Sequence, residues 1–236
     1  MKVRAGTSGY AYKEWKGSFY PADLKSDAFL PYYAEHFDTV EINNTFYRMP
    51  TTTLLEQWAA QVPASFCFVL KAPMRLTHRK RLKECGEDLK FFVDTARSLG
   101  GQLGPTLIQL PPNMKKDLPR LQDFLTLLPQ GWRAAFEFRH QSWFDDDIYS
   151  LLRQHDAALV AAETDPEETP LDVPFVPTAS WGYMRLRRKA YEPGALLEWA
   201  KRITSTAWDD AFVFFKHEDE GTGPRLAAEF LRILKS

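Results

Sequence analysis

Two glutamates sit inside short apolar runs where a surface carboxylate has no reason to be: Glu41 in VEINNTFYRMP and Glu137 in EFRHQSWF. Lys71 closes the run FCFVLK, and Gln109 stands near the end of TLIQL. Two carboxylates with a lysine suit general acid/base chemistry, because environments of opposite character split the pKa values of like groups and leave one to donate and one to accept a proton. Glu41, Glu137 and Lys71 are therefore the candidate catalytic groups. Polar residues at the ends of the other apolar runs are candidate substrate contacts: Thr7, Ser8 and Tyr10, then Asn43 and Tyr47, His78, Gln109, Arg139, His140 and Trp143, Arg185, and finally Lys216 and His217. Lys71, Arg139 and Arg185 among them suit a phosphate or another anion. A plainer reading stands beside each: Glu41 or Glu137 pairs with a buried cation, as a carboxylate taken out of water requires, and Asn43 bonds its own backbone in a turn.

Other chemistries find less in the sequence. The histidines, His36, His78, His140, His155 and His217, are scattered, whereas a metal centre needs a tight cluster. Only His140, His217 and the two glutamates come near one, so a divalent metal has slight support and no cofactor is expected. There is no GxGxxG, GxxxxGK[ST] or GxSxG, which leaves dinucleotide, P-loop and serine-hydrolase readings without a basis. The stretch HEDEGTGPRLAA sets Gly221, Thr222 and Gly223 ahead of a helix begun by Pro224, a place where backbone N–H groups can take a phosphate, but Glu218, Asp219 and Glu220 oppose an anion there. A nucleic-acid alternative rests on Tyr10, Tyr12, Trp15, Phe19 and Tyr20, interleaved with Lys13 and Lys16, beside a basic edge of Arg75, His78, Arg79, Lys80, Arg81 and Lys83. The bland account of those aromatics is packing beneath a long first loop.

With 236 residues, 44% hydrophobic and 26% charged, the chain has material for one sizeable core. A formal net charge of −1 gives no whole-molecule attraction for nucleic acid or membrane, so any anion site must be a local patch. Cys67 and Cys85 form no CxxC and read as free thiols. Neither a signal-peptide stretch nor a window approaching the roughly 18 apolar residues of a membrane helix is present. A cytoplasmic protein with no membrane partner is expected, its oligomeric state open.

The elements that must hold these groups recur regularly. Eight β-rich runs stand at 3–8, 39–43, 66–71, 106–110, 134–138, 158–162, 183–187 and 211–215. Between most of them lie helical patterns with apolar residues three and four apart, such as Leu118, Leu121, Phe124, Leu125 and Leu128. Strands that read as continuous apolar runs, alternating with helices, imply parallel pairing. Eight units in this length predict an α/β fold of the (β/α)8 TIM-barrel type, a single domain over 1–236. The sixth unit is irregular, since ETDPEETPLDVPFVPTAS carries four prolines and no helical period. In such a barrel the strand C-termini form the active face, so Glu41, Lys71, Gln109, Glu137 and Arg185 should converge at one end.

The blocks GTSGYAYKEWKGSFYP at 6–21, VEINNTFYRMP at 40–50, FVLKAPMRLTH at 68–78, LGPTLIQLPP at 103–112 and EFRHQSWF at 137–144 resemble, in order, those of the DUF72 family, also called YecE-like proteins. The resemblance implies a TIM barrel and, because the family has no established activity, supplies no reaction. Members commonly carry His-Gly after the Tyr-x-Arg of strand seven and Asn-Asn after the Phe of strand eight. Here Tyr183 and Arg185 are followed by Arg187-Arg188, and Phe215 by Lys216-His217. That shift toward cations implies a more anionic ligand or a divergent member that has lost the original activity. The expectation is an enzyme of hydrolase or lyase type acting on a small anionic substrate, with a nucleic-acid-binding barrel as the alternative.

Overall fold

A computed structural model describes residues 1–163, 171–216 and 219–235. The described residues contain nine strands, most of them separated by helices: β1 (Lys2–Thr7), β2 (Thr39–Ile42), β3 (Cys67–Lys71), β4 (Leu103–Gln109), β5 (Ala134–Glu137), β6 (Ala158–Leu159), β7 (Ala161–Ala162), β8 (Trp181–Leu186) and β9 (Asp210–Phe215). Every pairing is parallel. The strands form two sheets, ordered β1-β9-β8-β7 and β2-β3-β4-β5-β6. The helices are α1 (Phe29–Ala34), α2 (Asn44–Tyr47), α3 (Thr52–Ala59), α4 (Gly86–Ala96), α5 (Leu118–Thr126), α6 (Asp146–Gln154), α7 (Ala195–Thr204) and α8 (Thr222–Ile233). Asp117 caps α5 by accepting from the Arg120 N–H, and Asp145 caps α6 by accepting from Asp147 N–H.

The strand count departs from the expected eight in one sheet. The run 158–162 serves two neighbours: Ala158 and Leu159 pair with β5, Ala161 and Ala162 pair with β8, and Val160 N–H still donates to Phe136 O. The chain thus passes from one sheet to the other within five residues. At the opposite seam β1 and β2 meet at a bridge between Ser8 and Glu41, where Gly9 N–H donates to Glu41 O at 2.8 Å. The irregular sixth unit is seen as such, for residues 171–180 contain no helix and 164–170 lie outside the described residues.

Packing follows from strand alternation. Val40 and Ile42 point toward the helices and join the larger core, which includes Leu121, Phe124 and Leu125 of α5. A second core takes Cys67, Val69, Leu107, Ala135 and Ala158 from one sheet and Trp181, Tyr183, Phe212 and Phe214 from the other. Side chains on the inner face of the strands therefore fill the space between the sheets. Cys67 and Cys85 are free and buried, and no helix among the described residues is long and apolar enough to cross a membrane.

Gly6 allows the β1–β2 seam to close. A Cβ there would stand 2.2 Å from the carbonyl oxygen of Thr39 and 2.9 Å from the Tyr33 hydroxyl. Since the first obstacle is backbone, Gly6→Ala is expected to destabilise the protein by about 2 kcal/mol or more. Urea unfolding at neutral pH measures it, and an unchanged midpoint would mean that the seam has slack.

Candidate functional site

The inner face of the strands becomes polar at their C-terminal ends. On β8, Tyr183 and Arg185 point inward two residues apart, and Arg187 follows just beyond the strand. Arg185 bridges both carboxylates: Nη2 donates to Glu41 Oε1 at 2.7 Å and Nη1 to Glu137 Oε2 at 2.5 Å. Tyr183 OH donates to Glu41 Oε2 at 2.6 Å, and Asn43 Nδ2 reaches Glu41 Oε1 at 3.3 Å. Glu137 Oε1 accepts from Arg187 Nη2 at 3.0 Å and from Arg139 Nε at 3.1 Å. Beside them Lys71 Nζ donates to Gln109 Oε1 at 2.8 Å and lies 4.2 Å from the centre of the Phe46 ring. The five residues expected to converge do so.

Among the described residues charge does not balance here. Lys71, Arg139, Arg185 and Arg187 stand against Glu41 and Glu137, an excess of two positive charges (four against two) where all but Arg139 are buried. Among the described residues Lys71 makes no ion pair at all. Its neighbours are an amide oxygen and an aromatic face.

Burial pushes both carboxyls up, yet the guanidinium groups overcome it. Glu41 ends below its ordinary value through Arg185 and the Tyr183 hydroxyl, and Glu137 ends well below through Arg187, Arg185 and Arg139. Both are thus ionised near neutrality. Lys71 moves the other way: burial and then the charge of Arg185 bring it down to about 8, only partly offset by the two glutamates. His78 is lowered by burial and by Lys71, Arg139 and Arg81. Burial and the adjacent Glu41 hold the Tyr183 phenol well above its ordinary range, so it serves as a hydrogen-bond donor.

The other expected contacts fall into three groups. Asn43, His78 and Arg139 are half-buried around this cluster, with the His78 ring against Phe46 at 4.9 Å, and Tyr47 next to Phe46 is 76% exposed. Thr7 and Ser8 are buried at the β1 end, where Thr7 Oγ1 donates to Gly9 O at 2.6 Å; Tyr10 packs against Tyr33, and burial raises its phenol to about 12. His140 and Trp143 lie in the turn after β5. His140 Nδ1 is engaged by Ser142, and Trp143 is fully buried, stacked on Phe138 at 4.6 Å, with its indole N–H donating to Met114 O. Trp143 therefore holds the loop after β4 against β5 rather than facing a ligand. Lys216 is exposed at the end of β9, and His217 lies outside the described residues.

Of three further members of the cluster, Arg187 already stands among the polar strand ends of the sequence, whereas Tyr183 and Phe46 were not singled out as site residues. Tyr183 and Arg187 carry a legible signal, an inward polar residue at every second position from 183 to 187. Phe46 carries none, since an aromatic in a short helix reads as core. Glu163 forms a separate group, accepting from Tyr191 OH at 2.7 Å and Trp199 Nε1 at 3.0 Å and pairing with Arg188 at 3.3 Å. Among the described residues no three His, Cys, Asp or Glu side chains are placed to hold a metal ion. The α8 N-terminus starts at Thr222, two residues before the expected Pro224, with Gly221 and Gly223 buried.

Over 116 residues the chain is 32% identical to UPF0759 protein YecE of Escherichia coli strain K12, covering 49% of this chain and 43% of that protein. It is 30% identical over 141 residues to UPF0759 protein YunF of Bacillus subtilis strain 168, covering 56% and 50%. The chain thus spans about half the length of the curated relatives it matches. Among solved structures it is similar to a DUF72 family protein of Thermotoga maritima, with a TM-score of 0.88 and 28% identity over all of both chains. It also superposes on a D-psicose 3-epimerase of Clostridium cellulolyticum H10, a TIM-barrel protein, with a TM-score of 0.59 at 10% identity over 100% of this chain and 98% of that one, a likeness of fold alone. The sequence profile described as "Protein of unknown function DUF72" matches residues 4–236, and the chain belongs to that family.

Proposed function

We propose that the two sheets close into one TIM barrel and that its C-terminal mouth binds a small phosphate-bearing or otherwise anionic molecule and acts on it by acid/base chemistry, within a reducing cytoplasm. Closure is supported by the core shared between the sheets and by the Glu41–Arg185 contact across them. The observation that carries the binding site is the surplus of cations: with Arg185 spent on two carboxylates, Lys71 makes no direct ion pair among the described residues and Arg139 reaches the surface, 29% exposed. An anion would give Lys71 a direct counter-charge and take up the exposed side of the Arg139 guanidinium, which Glu137 holds only through Nε. In this reading Glu41 and Glu137, ionised and held by arginines, position the cations, and Lys71, down at about 8, is the group that exchanges a proton near neutrality.

The nucleic-acid alternative loses its stacking platform. Trp15 and Tyr20 are buried, Tyr20 stacks on Phe29 at 4.2 Å, and Tyr10, Tyr12 and Phe19 pack against the core. Only the basic edge remains for it.

Sulfate tests the reading cleanly because its charge is constant around pH 8. Bound anion and protonated Lys71 favour one another, so affinity should be level below pH 8 and fall by up to about tenfold per pH unit above it. Lys71→Met should weaken sulfate about tenfold or more at pH 7 and remove the pH dependence. Isothermal titration of both proteins from pH 6.5 to 9.5 decides; sulfate binding that ignores the substitution would place the anion elsewhere.

A further inference from the structure

The loop after β3 is built in an unusual way. Residues Arg75–Arg79 form a π-turn, and Arg81, Leu82 and Glu84 all take left-handed backbone, with φ of 49°, 65° and 48°. Non-glycine residues pay for that conformation, by about 1 kcal/mol or more each, and keep it only where the surroundings insist. Here they do: Leu82 is buried in the core, Leu82 N–H donates to Leu76 O, and Lys80 Nζ holds Glu84 O at 2.7 Å. The result is to fix Arg81 on the mouth side of the barrel, where its guanidinium reaches Asn113 Oδ1 in the loop after β4 at 3.3 Å.

This loop also divides its charges unevenly. Asp88 is occupied by Arg75 and Lys80, both at 2.8 Å, whereas Arg79, Arg81, Lys83 and Lys115 are exposed and lie within ion-pair distance of no carboxylate among the described residues. Toward the barrel axis the loop presents His78, whose ring edge meets the Phe46 ring that also carries Lys71. His78 faces Lys71, Arg139 and Arg81 together, and these charges, after burial, hold its imidazole below the ordinary value. Among the described residues no acid forms an ion pair with it, while Thr77 Oγ1 lies 2.9 Å from its Nδ1. Inner and outer cations therefore share one positive field with His78 between them.

We infer that Arg81 and His78 form a second anion subsite beside Lys71 and Arg139, so that the ligand of the mouth carries two phosphoryl groups rather than one. The inference rests on the anion reading of the mouth and narrows its substrate class. One phosphoryl group lies at Lys71 and Arg139; the other is held by Arg81, with His78 able to bond either.

The test uses inorganic phosphate, pyrophosphate and tripolyphosphate as probes, titrated calorimetrically at fixed ionic strength. Pyrophosphate or tripolyphosphate should bind about tenfold or more tighter than phosphate to the unaltered protein. Arg81→Asn suits the left-handed backbone at this position and removes the cation; it should abolish that gain and weaken phosphate, which needs one subsite alone, by far less. Lys83→Gln removes the same charge from the same loop and should leave the gain intact. Phosphate binding without any gain for the longer anions, or equal losses in Arg81→Asn and Lys83→Gln, would overturn the second subsite and leave the first standing. If none of the three anions binds, the anion reading of the mouth fails and the second subsite with it.

Discussion

Arg185→Met is expected to destabilise the protein by about 3 to 5 kcal/mol at pH 7. The guanidinium is 2% exposed and is shared between two buried carboxylates. Methionine fills much of the volume and supplies neither charge nor donor. Glu137 would keep Arg187 and Arg139, but Glu41 would keep no cation among the described residues, just neutral donors such as the Tyr183 and Ser8 hydroxyls and the Asn43 amide, so most of the cost falls on Glu41. Adding Glu41→Gln to Arg185→Met should therefore recover part of the loss, since the second change removes the stranded charge. Urea unfolding of the two single variants and the double variant measures the coupling; a loss below about 1 kcal/mol for Arg185→Met would mean that water reaches Glu41. Acid supplies an independent check. In the unaltered protein both glutamates have folded pKa values below the ordinary 4.5, so their contribution is complete above that value and is lost as pH falls through the lower folded values. In Arg185→Met burial should win and lift Glu41 above its ordinary value, so that protonation relieves the variant as acid is added. The stability gap between the two proteins should narrow as pH falls from 7 toward 4.

Much of this architecture was legible in the order of residues. Parallel strands buried on both faces read as unbroken apolar runs, and each of the eight runs found in the sequence coincides with a strand or, at 158–162, with two. The strand ends were legible too, because Glu41, Lys71, Gln109, Glu137 and Arg185 interrupt those runs with groups that cannot be buried alone. What a sequence does not display is partnership. Nothing local says that Glu41 meets Arg185 across 144 positions, or that Lys71 finds an amide and the Phe46 ring instead of a carboxylate. Trp143 misleads for a related reason: beside Arg139 and His140 it looks like a site residue, yet Phe138 takes its face and Met114 its N–H. The first loop teaches the converse, since its density of aromatics reflects packing around Trp15 and Tyr20, which join the larger core.

Glu137→Gln separates a carboxylate that works on a ligand from one that holds the scaffold. Its oxygens are shared by Arg185, Arg187 and Arg139, and the first two are buried with it. The amide keeps the shape, loses the charge, and turns an N–H pair toward guanidinium donors that the carboxylate accepted from. A loss of about 3 kcal/mol or more is expected in urea at pH 7. The same substitution raises the local surplus of positive charge from two to three, so the folded fraction should bind sulfate or phosphate more tightly than the unaltered protein does. Because the anion then replaces part of the missing charge, added phosphate should raise the melting temperature of Glu137→Gln by more than it raises that of the parent. Lower intrinsic stability with stronger anion rescue is the pattern of a carboxylate that arranges cations. The opposite pattern, an unchanged melting temperature with anion binding abolished, would show that Glu137 itself touches the ligand, and would return it to the proton-handling role that its place at the end of β5 first suggested.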